Sequence, residues 1–386
     1  MSDAMPPSIA HTANKFLHAL TVAVLSQDST NLAISPVSVF YAMMSVVVAA
    51  TRDSKTHIEV CDVLGLDKDQ EDAFLYTFDK IRKGLVQGSH HVKVHMASSL
   101  WCKAEIKQSF RELCLKKMSM QVGPLGDKNS INAWVEDQTL GMIKEVLAED
   151  PEGPAVVVNV LFFKGEWTTQ FSPDDTYKSK FYVPAESGKT EGVPCDMMKQ
   201  KSRMPYIHFN TLQIVEMSYG DDKRFCAYVI LPTPGGLGDD TSVTSLDQAI
   251  ETIFTEQGEW ENLSDSMSSG TLVNLHLPRF AVECQLGLKD TLSAMGMPTA
   301  FGPGSSFDRL CDDDIVVEDV KHRVKIEVNE VGTKAAAATA VLFATRGQRP
   351  PEPQCIDVVV NRPFVFMVYD TKTNWPLFVA KVSSPE

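Results

Sequence analysis

The alternation of apolar and polar positions predicts how the first part of the chain is organised. Apolar residues recur at helical spacing from Ile9 to Val24 and predict an amphipathic helix. A short strand then ends at Ile34, where Ser35 is a suitable helix cap and Pro36 suits the first helical position. The helix that follows is apolar on nearly every side, so we expect it to be buried.

Residues 29–51 carry no charged side chain, which raises the question of a membrane span. Asn31, Ser35 and Pro36 interrupt this stretch, and its longest near-apolar part is shorter than the about 20 residues that a spanning helix needs. We therefore expect a helix buried in protein and no membrane partner.

Two more helices are predicted before residue 90. The tetrad Thr56–Glu59 has the spacing of a capping box, which predicts that a helix starts there. Residues 69–84 form the second helix, because Phe74 and Phe78 recur on one of its faces.

Strands dominate the rest of the chain. Residues 155–163 are apolar at almost every position, which is typical of a strand covered on both faces. We expect its covers to be the early apolar helix and a helix near Ile131. Residues 194–232 predict short strands and turns, and residues 362–382 predict two buried strands joined by a turn. Residues 324–328 alternate and predict a strand with one buried face.

The segment after this last strand has an unusual composition. Glu330, Val331, Gly332, Thr333 and Lys334 precede four consecutive alanines, Ala335, Ala336, Ala337 and Ala338. Small side chains lose little entropy when they are ordered, and glycine tolerates almost any backbone angles. The segment therefore suits a strand that slides into a narrow slot better than it suits a surface loop or a helix.

This segment resembles the hinge of the reactive-centre loop of inhibitory serpins. Further stretches resemble serpins in the same order along nearly the whole chain: residues 31–39, 131–143, 164–167 and 277–280. The resemblance implies an α+β serpin fold with three β-sheets, a layer of about eight or nine helices and an exposed reactive-centre loop. It also implies a single domain, residues 1–386, with the loop at about residues 331–353.

The resemblance implies roles for individual residues. The hinge positions are Glu330, Gly332, Thr333, Ala335, Ala336, Ala337 and Ala338. The shutter, under the place where the central sheet opens, is Ser35, Ser38, Asn159 and His322. The breach, where the loop enters the sheet, is Trp167, Arg279 and Glu330. Without the resemblance, Ser35 is a plain helix cap and His322, between two cations, is a surface histidine.

The position of the bait residue follows from counting. In inhibitory serpins the bait commonly lies sixteen residues beyond the hinge acid, and sixteen beyond Glu330 is Arg346. The reactive bond is then Arg346–Gly347. Arg349 is the competitor, but it precedes Pro350, and a bond to proline is a poor substrate for trypsin-like proteases.

Composition and charge exclude several classes of partner. The net charge of −14 argues against nucleic acid, because phosphate binding needs a basic field. The eight cysteines include no C-x-x-C pair, which argues against a metal site and suits a reducing compartment. Asp3 stands where a secretory signal would be basic. We expect a cytoplasmic protein, with release by an unconventional route left open.

One basic cluster stands out against this acidic background. Lys80, Arg82 and Lys83 lie on the helix that binds heparin-like polyanions in some serpins. The alternative is a solvated helix face, which the net negative charge favours. No other cofactor is expected.

Three functions compete: a suicide inhibitor, a non-inhibitory serpin acting as chaperone or carrier, and a Ser-His-Asp enzyme. No G-x-S-x-G motif supports the enzyme. Non-inhibitory serpins commonly have charged, bulky or proline residues in the hinge, whereas here Val331 and Lys334 are the only departures. Strand parity places Thr333 on the core face and Lys334 on the opposite face. The sequence therefore predicts a monomeric suicide inhibitor of trypsin-like serine proteases, which forms a covalent complex with its target.

Overall fold

Helices and strands alternate irregularly through the computed structural model, which describes residues 7–27, 31–184, 190–233, 246–254, 259–333 and 355–385. The α-helices in these ranges are α1 (Pro7–Leu25), α2 (Pro36–Ala49), α3 (Lys55–Leu64), α4 (Glu71–Gln87), α5 (Gln108–Leu113), α6 (Lys128–Gln138), α7 (Leu246–Ile253), α8 (Glu259–Asp265) and α9 (Lys289–Ala294). The strands are β1 (Asn31–Ile34), β2 (Val92–Cys102), β3 (Gln121–Pro124), β4 (Ala155–Glu166), β5 (Tyr177–Pro184), β6 (Thr190–Phe209), β7 (Leu212–Tyr219), β8 (Phe225–Pro232), β9 (Ser268–Pro278), β10 (Phe280–Gly287), β11 (Val317–Val328), β12 (Gly332–Thr333), β13 (Cys355–Val359), β14 (Phe364–Asp370) and β15 (Trp375–Val382).

The helices at the start of the chain confirm the predicted pattern. The backbone N–H of Ser38 donates to the Ser35 hydroxyl, which caps α2, and Pro36 is the first residue of that helix. Every residue of α2 is buried. In the ranges given above, no helix is both long and apolar enough to cross a membrane.

The predicted capping box of α3 is wrong. The cap is Ser54, whose hydroxyl accepts the N–H of His57, and the helix starts at Lys55. The Thr56 hydroxyl accepts the N–H of Ser306 instead, and Glu59 binds Thr299. Both side chains that matched the capping motif therefore hold a distant segment against α3.

A nine-stranded sheet has the order β1-β15-β14-β8-β7-β6-β9-β13, and β5 pairs with β6 outside this path. The prediction of short strands over residues 194–232 is wrong at β6, which runs for 20 residues. Its pairing with β9 shifts between Met204 and Tyr206, and this irregularity accommodates Pro205. Because β6 is continuous, hydrogen bonds join the strands of this α+β fold into two sheets, so the third sheet that the resemblance implies is not separate among the described residues.

The second sheet has six strands in the order β10-β11-β12-β4-β2-β3. Along most of their length β4 and β11 pair directly and in parallel, from Ala155 to Phe162 and from Val317 to Lys325. We call this line of pairing the seam. Beyond Phe162 and Lys325, which mark what we call the upper end of the seam, the two strands separate, and β12 lies between them.

Strand β4 is covered on both faces, as predicted. Val156, Val158 and Val160 pack in one apolar cluster with Ile131 and Val135 of α6. The alternate residues Val157, Leu161 and Phe163 belong to the larger core that also contains α2. The seam is therefore closed over by α6 on one side and by the main core on the other.

Candidate functional site

The hinge residues Gly332 and Thr333 already form a strand, β12, at the upper end of the seam. Gly332 is opposite Glu166 and Thr333 is opposite Gly165 on β4, while Thr333 is also opposite Val328 on β11. A Cβ atom at residue 332 would lie 2.0 Å from the carbonyl oxygen of Gly165, so this close approach requires glycine. Elements β4 and β11 thus hold the start of the hinge between them.

The side chain of Thr333 faces the core. Its relative exposure is 1%, and its hydroxyl lies 2.8 Å from the hydroxyl of Tyr219. The ring of Tyr219 in turn stacks on Trp167, with 4.3 Å between the ring centroids. Sequence reasoning did not identify Tyr219; its only local signal is a large polar side chain on the buried face of β7.

Glu330 anchors the root of the hinge. Arg279 Nε lies 2.7 Å from Glu330 Oε1, and the hydroxyl of Thr176 donates to the same oxygen at 2.6 Å. Burial opposes the charged form of Glu330, but the hydrogen bonds from Arg279 and Thr176 outweigh it and hold its pKa below the ordinary value. This carboxylate is therefore charged at neutral pH and fixes the chain just before the hinge.

Trp167 holds the turn between β11 and β12. Its indole Nε1 donates to the carbonyl oxygen of Asn329 at 3.0 Å, and its backbone N–H donates to the carbonyl oxygen of Val331 at 2.9 Å. Val331, which departs from the usual serpin acid, is buried. The structure thus brings Trp167, Arg279 and Glu330 to one place, where they surround the entry of the hinge into the sheet.

The predicted shutter residues meet midway along the seam, where His322 on β11 is directly opposite Asn159 on β4. His322 is fully buried, and its Nε2 accepts the backbone N–H of Ser35 at 3.1 Å. The other ring nitrogen, Nδ1, must therefore carry the proton, which it donates to Asn159 Oδ1 at 2.7 Å. A hydrogen bond thus crosses the seam, and it must break if the strands separate there.

Two serines complete this group of side chains. The amide of Asn159 donates to the hydroxyl of Ser98 on β2 at 2.9 Å, a partner that sequence reasoning missed. The hydroxyl of Ser38 is buried and has no hydrogen-bond partner among the described residues. His322 is not the surface histidine that its charged neighbours indicated, because strand alternation puts it on the same face as Val320 and Val324.

Burial gives the seam a pH dependence. Because burial disfavours the charged ring, the pKa of His322 falls to about 3. The unfolded chain binds a proton near pH 6.5 and the folded chain does not, so this residue stabilises the folded state above pH 6.5 relative to lower pH. Its contribution declines as the pH falls from 6.5 towards 3, by about 2 kcal/mol at pH 5.

We therefore expect the urea midpoint of the parent protein to fall more between pH 7 and pH 5 than that of His322→Gln. Glutamine keeps one donor and one acceptor but does not titrate. The remaining titrating groups are common to both proteins, so the difference isolates residue 322. Equal shifts of the two midpoints would show that the residue is not held neutral by burial.

Comparison with known proteins now defines the family. Residues 11–385 match the family described as serpin (serine protease inhibitor). The chain belongs to the serpin family. Serpin B6 of Macaca fascicularis is 29% identical over 395 aligned positions, which cover 98% of this chain and 99% of that protein. Serpin B10 of Sorex araneus is 34% identical over 264 positions, which cover 67% of this chain and 62% of that protein.

Comparison with solved structures leads to the same family. The crystal structure of the thermophilic serpin tengpin in its native state superposes with a TM-score of 0.84 at 25% identity, covering 98% of this chain and 95% of that one. The family is described as serine protease inhibitor, which is consistent with a protein that is not an enzyme.

Part of the predicted site of this serpin lies outside the described residues. These positions are Lys334, Ala335, Ala336, Ala337, Ala338, Arg346 and Gly347, together with the rest of the loop up to residue 353.

The predicted polyanion cluster lies on α4, and its cations have partners nearby. Lys83 Nζ lies 2.6 Å from Asp79 Oδ2, and Arg82 Nη2 lies 3.6 Å from Asp79 Oδ1. Arg82 is also largely buried, with 15% of its side chain exposed, whereas Lys83 is 58% exposed. The cluster therefore does not present three free cations on one surface.

Proposed function

We propose that this serpin is a suicide-substrate inhibitor of trypsin-like serine proteases. The observation that supports this most directly is the position of β12, since Gly332 and Thr333 already pair with β4 and with β11 at the upper end of the seam. Lengthening this strand towards the shutter would place the following small residues between the same two strands. The alanines that follow suit such a narrow slot.

The proposed mechanism begins as ordinary proteolysis. The catalytic serine of the protease attacks the carbonyl carbon of Arg346, the bond to Gly347 breaks, and an acyl ester joins the two proteins. The segment that follows Thr333 then inserts along the seam and carries the protease with it. About 12 residues at about 3.3 Å each move the ester about 40 Å, which distorts the protease before water releases it.

Insertion replaces one pairing between strands by two. It breaks the direct pairing of β4 with β11, including the bond between His322 and Asn159, and it pairs a new strand with each of them. A parallel ladder gives way to two antiparallel ones, as β12 already demonstrates over its short length. The uncut protein is in this proposal held kinetically, and not by being its most stable form.

A non-inhibitory role as chaperone or carrier is the alternative. It predicts a hinge that cannot enter the sheet, whereas the described part of this hinge is buried and paired. We therefore favour inhibition.

Arg346 is expected to be the bait. Its guanidinium would pair with the aspartate at the base of a trypsin-like specificity pocket, and chymotrypsin-like or elastase-like proteases should be inhibited only weakly. After reaction with trypsin, N-terminal sequencing of the released fragment should begin Gly347-Gln348-Arg349. A fragment that begins at Pro350 would contradict the assignment.

Two substitutions sharpen this test. Arg346→Ala should slow the inhibition of trypsin on the order of 100-fold or more, which corresponds to about 3 kcal/mol from a lost charge pair. Arg349→Ala removes the neighbouring arginine and should leave the rate unchanged. Full inhibition by Arg346→Ala would exclude Arg346 as the bait.

We also propose that the protein acts as a cytoplasmic monomer and that residues 1–386 form one domain. All eight cysteines are free, and seven of them are buried, which suits a reducing compartment. The elements of the trap described above come from one chain. Strand β1 near the start pairs with β15 near the end, which supports a single folding unit.

A further inference from the structure

Two of the eight cysteines form a pair of thiols inside the protein. Cys102 is the last residue of β2, and Cys311 lies in the segment that leads into β11. A hydrogen bond joins the two side chains, whose relative exposures are 0% and 1%. Both cysteines are free thiols, and the trap proposed above makes no use of them.

The backbone next to this pair is held in place. The N–H of Lys107 donates to the carbonyl oxygen of Leu310 at 2.9 Å. Its Nζ lies 2.6 Å from the carbonyl oxygen of Asp308 and 2.6 Å from Asp312 Oδ1. These contacts fix the chain after β2 against the residues that flank Cys311. Two thiols that are bonded to each other and held in this way need only a small movement to form a disulfide.

The pair lies at the end of the seam that is opposite the hinge, which we call the lower end. Cys102 is opposite Ala155 on β4, and Ala155 is opposite Val317 on β11. Cys311 lies in the segment that runs directly into Val317. A bond between the two cysteines would therefore join the β4 side of the seam to the β11 side.

The segment that contains Cys311 is attached to α3 as well as to β11. The N–H of Ser306 donates to the hydroxyl of Thr56 on α3 at 3.0 Å. The N–H of Thr299 donates to Glu59 of the same helix at 2.9 Å. This segment is therefore anchored on the side of the seam that does not contain β2.

Insertion of a strand along the seam must move β4 away from β11 by one strand spacing, about 4.8 Å. Strand β2 is paired with β4 on the other side and moves with it, which carries Cys102 away from Cys311. The contacts of Lys107 can break during this movement. A disulfide cannot, and it keeps its two Cα atoms within about 7 Å of each other.

A hydroperoxide is the oxidant that the bond requires. One thiolate attacks the peroxide, the O–O bond breaks, and a sulfenic acid forms as the first water leaves. The second thiol then attacks the sulfenic sulfur, the S–S bond forms, and a second water leaves. Two thiols and one hydrogen peroxide thus yield one disulfide and two waters.

The surroundings of the two thiols make this reaction slow at neutral pH. Burial raises the pKa of Cys311 and raises that of Cys102 to about 11, so little thiolate is present at pH 7. The next residue after each cysteine, Lys103 and Asp312, is exposed, so the pair lies just below the surface. A local opening there admits a small oxidant.

We propose that Cys102 and Cys311 form a reversible disulfide that holds the lower end of the seam closed. In the oxidised protein the hinge enters at the upper end, but the seam does not open along its whole length. The acyl ester is then hydrolysed before the segment has inserted, and the inhibitor becomes a substrate until the bond is reduced. This consequence for trapping rests on the proposed inhibition, whereas formation of the bond does not.

The first experiment tests the bond in the uncut protein. Cys355→Ser serves as the background, because Cys355 is the one cysteine that is not buried. After hydrogen peroxide at about pH 9, where more thiolate is present, digestion without reduction should release the Cys102 and Cys311 peptides joined, two hydrogens lighter than their sum. The melting temperature should rise by about 3–5 °C, because the bond closes a long loop. Absence of the joined peptides would overturn the proposal.

The second experiment measures trapping of trypsin by the same samples. Oxidation should lower the yield of covalent complex about 10-fold, which a barrier higher by about 1.4 kcal/mol is enough to cause, and dithiothreitol should restore it. Cys102→Ser and Cys311→Ser should keep their yields after peroxide. Cys195→Ser, which retains the pair, should respond like the background protein.

Two results would contradict the proposed effect on the seam. One is an unchanged yield in protein that carries the mapped bond, and the other is an equal loss of yield in Cys102→Ser. If the reduced protein formed no complex with trypsin, the proposed inhibition would fail. The joined peptides and the melting temperature would still decide whether the two cysteines form a disulfide.

Discussion

Cleavage of the reactive-centre loop is expected to raise the melting temperature of the protein by at least about 10 °C. Insertion of about 12 residues adds some 12–20 backbone hydrogen bonds at about 1 kcal/mol each, which is comparable with the entire stability of an ordinary domain. The conformational entropy lost when the segment is ordered, and the hydrogen bonds lost when β4 and β11 separate, reduce this gain in stability. A net gain of about 8 kcal/mol, divided by an unfolding entropy of about 0.8 kcal/mol/K for 386 residues, corresponds to about 10 °C.

The measurement is a calorimetric scan of the intact protein and of protein nicked between residues 341 and 349, with the cut verified by mass. Among the residues that the structure describes, Gly332 and Thr333 of the hinge pair with β4 and β11 in the uncut protein. An unchanged midpoint after cutting would mean that the segment does not insert, and it would favour the carrier alternative.

Replacing Thr333 by Arg is expected to convert the inhibitor into a substrate. Thr333 is buried against Tyr219 in the uncut protein, so an arginine there would displace β12 from the sheet, and insertion would then have to carry its unpaired charge into the core. A penalty of about 3 kcal/mol slows insertion on the order of 100-fold, so the acyl ester is hydrolysed before the segment inserts. The yield of covalent complex should fall to a few per cent while cleavage by trypsin continues.

Thr333→Val is the matched control. Valine has the same shape and no charge, and it removes only the hydrogen bond to Tyr219, so trapping should persist. Nicked Thr333→Arg should also lack the gain in melting temperature. If Thr333→Arg and the parent gave equal yields of covalent complex, burial of residue 333 between β4 and β11 could not be required for trapping.

Elements with a strong period could be predicted from the sequence. The uniformly apolar sequences of β4 and α2 indicate elements that are covered on every side. The alternation in β11 indicates a strand with one buried face. The α3 cap and the length of β6 could not be predicted in this way. At α3 the residues that match the motif bind Ser306 and Thr299, some 240 or more positions away, and local spacing contains no information about such partners.

The same limit applies to the site. Glycine at residue 332 and threonine at residue 333 could be recognised as a hinge from their own segment. Tyr219 could not, because it meets Thr333 from 114 positions away on another sheet. The seam itself is visible only when β4 and β11 lie side by side, since His322 and Asn159 are 163 positions apart.

The central claim is that this serpin traps its protease as an acyl ester. The most direct test mixes the protein with trypsin and measures intact masses under denaturing conditions. We expect a species with the mass of trypsin plus residues 1–346, less one water, together with the free fragment 347–386. Recovery of trypsin at its own mass, beside a fully cleaved or an uncut chain and with no joined species, would contradict it.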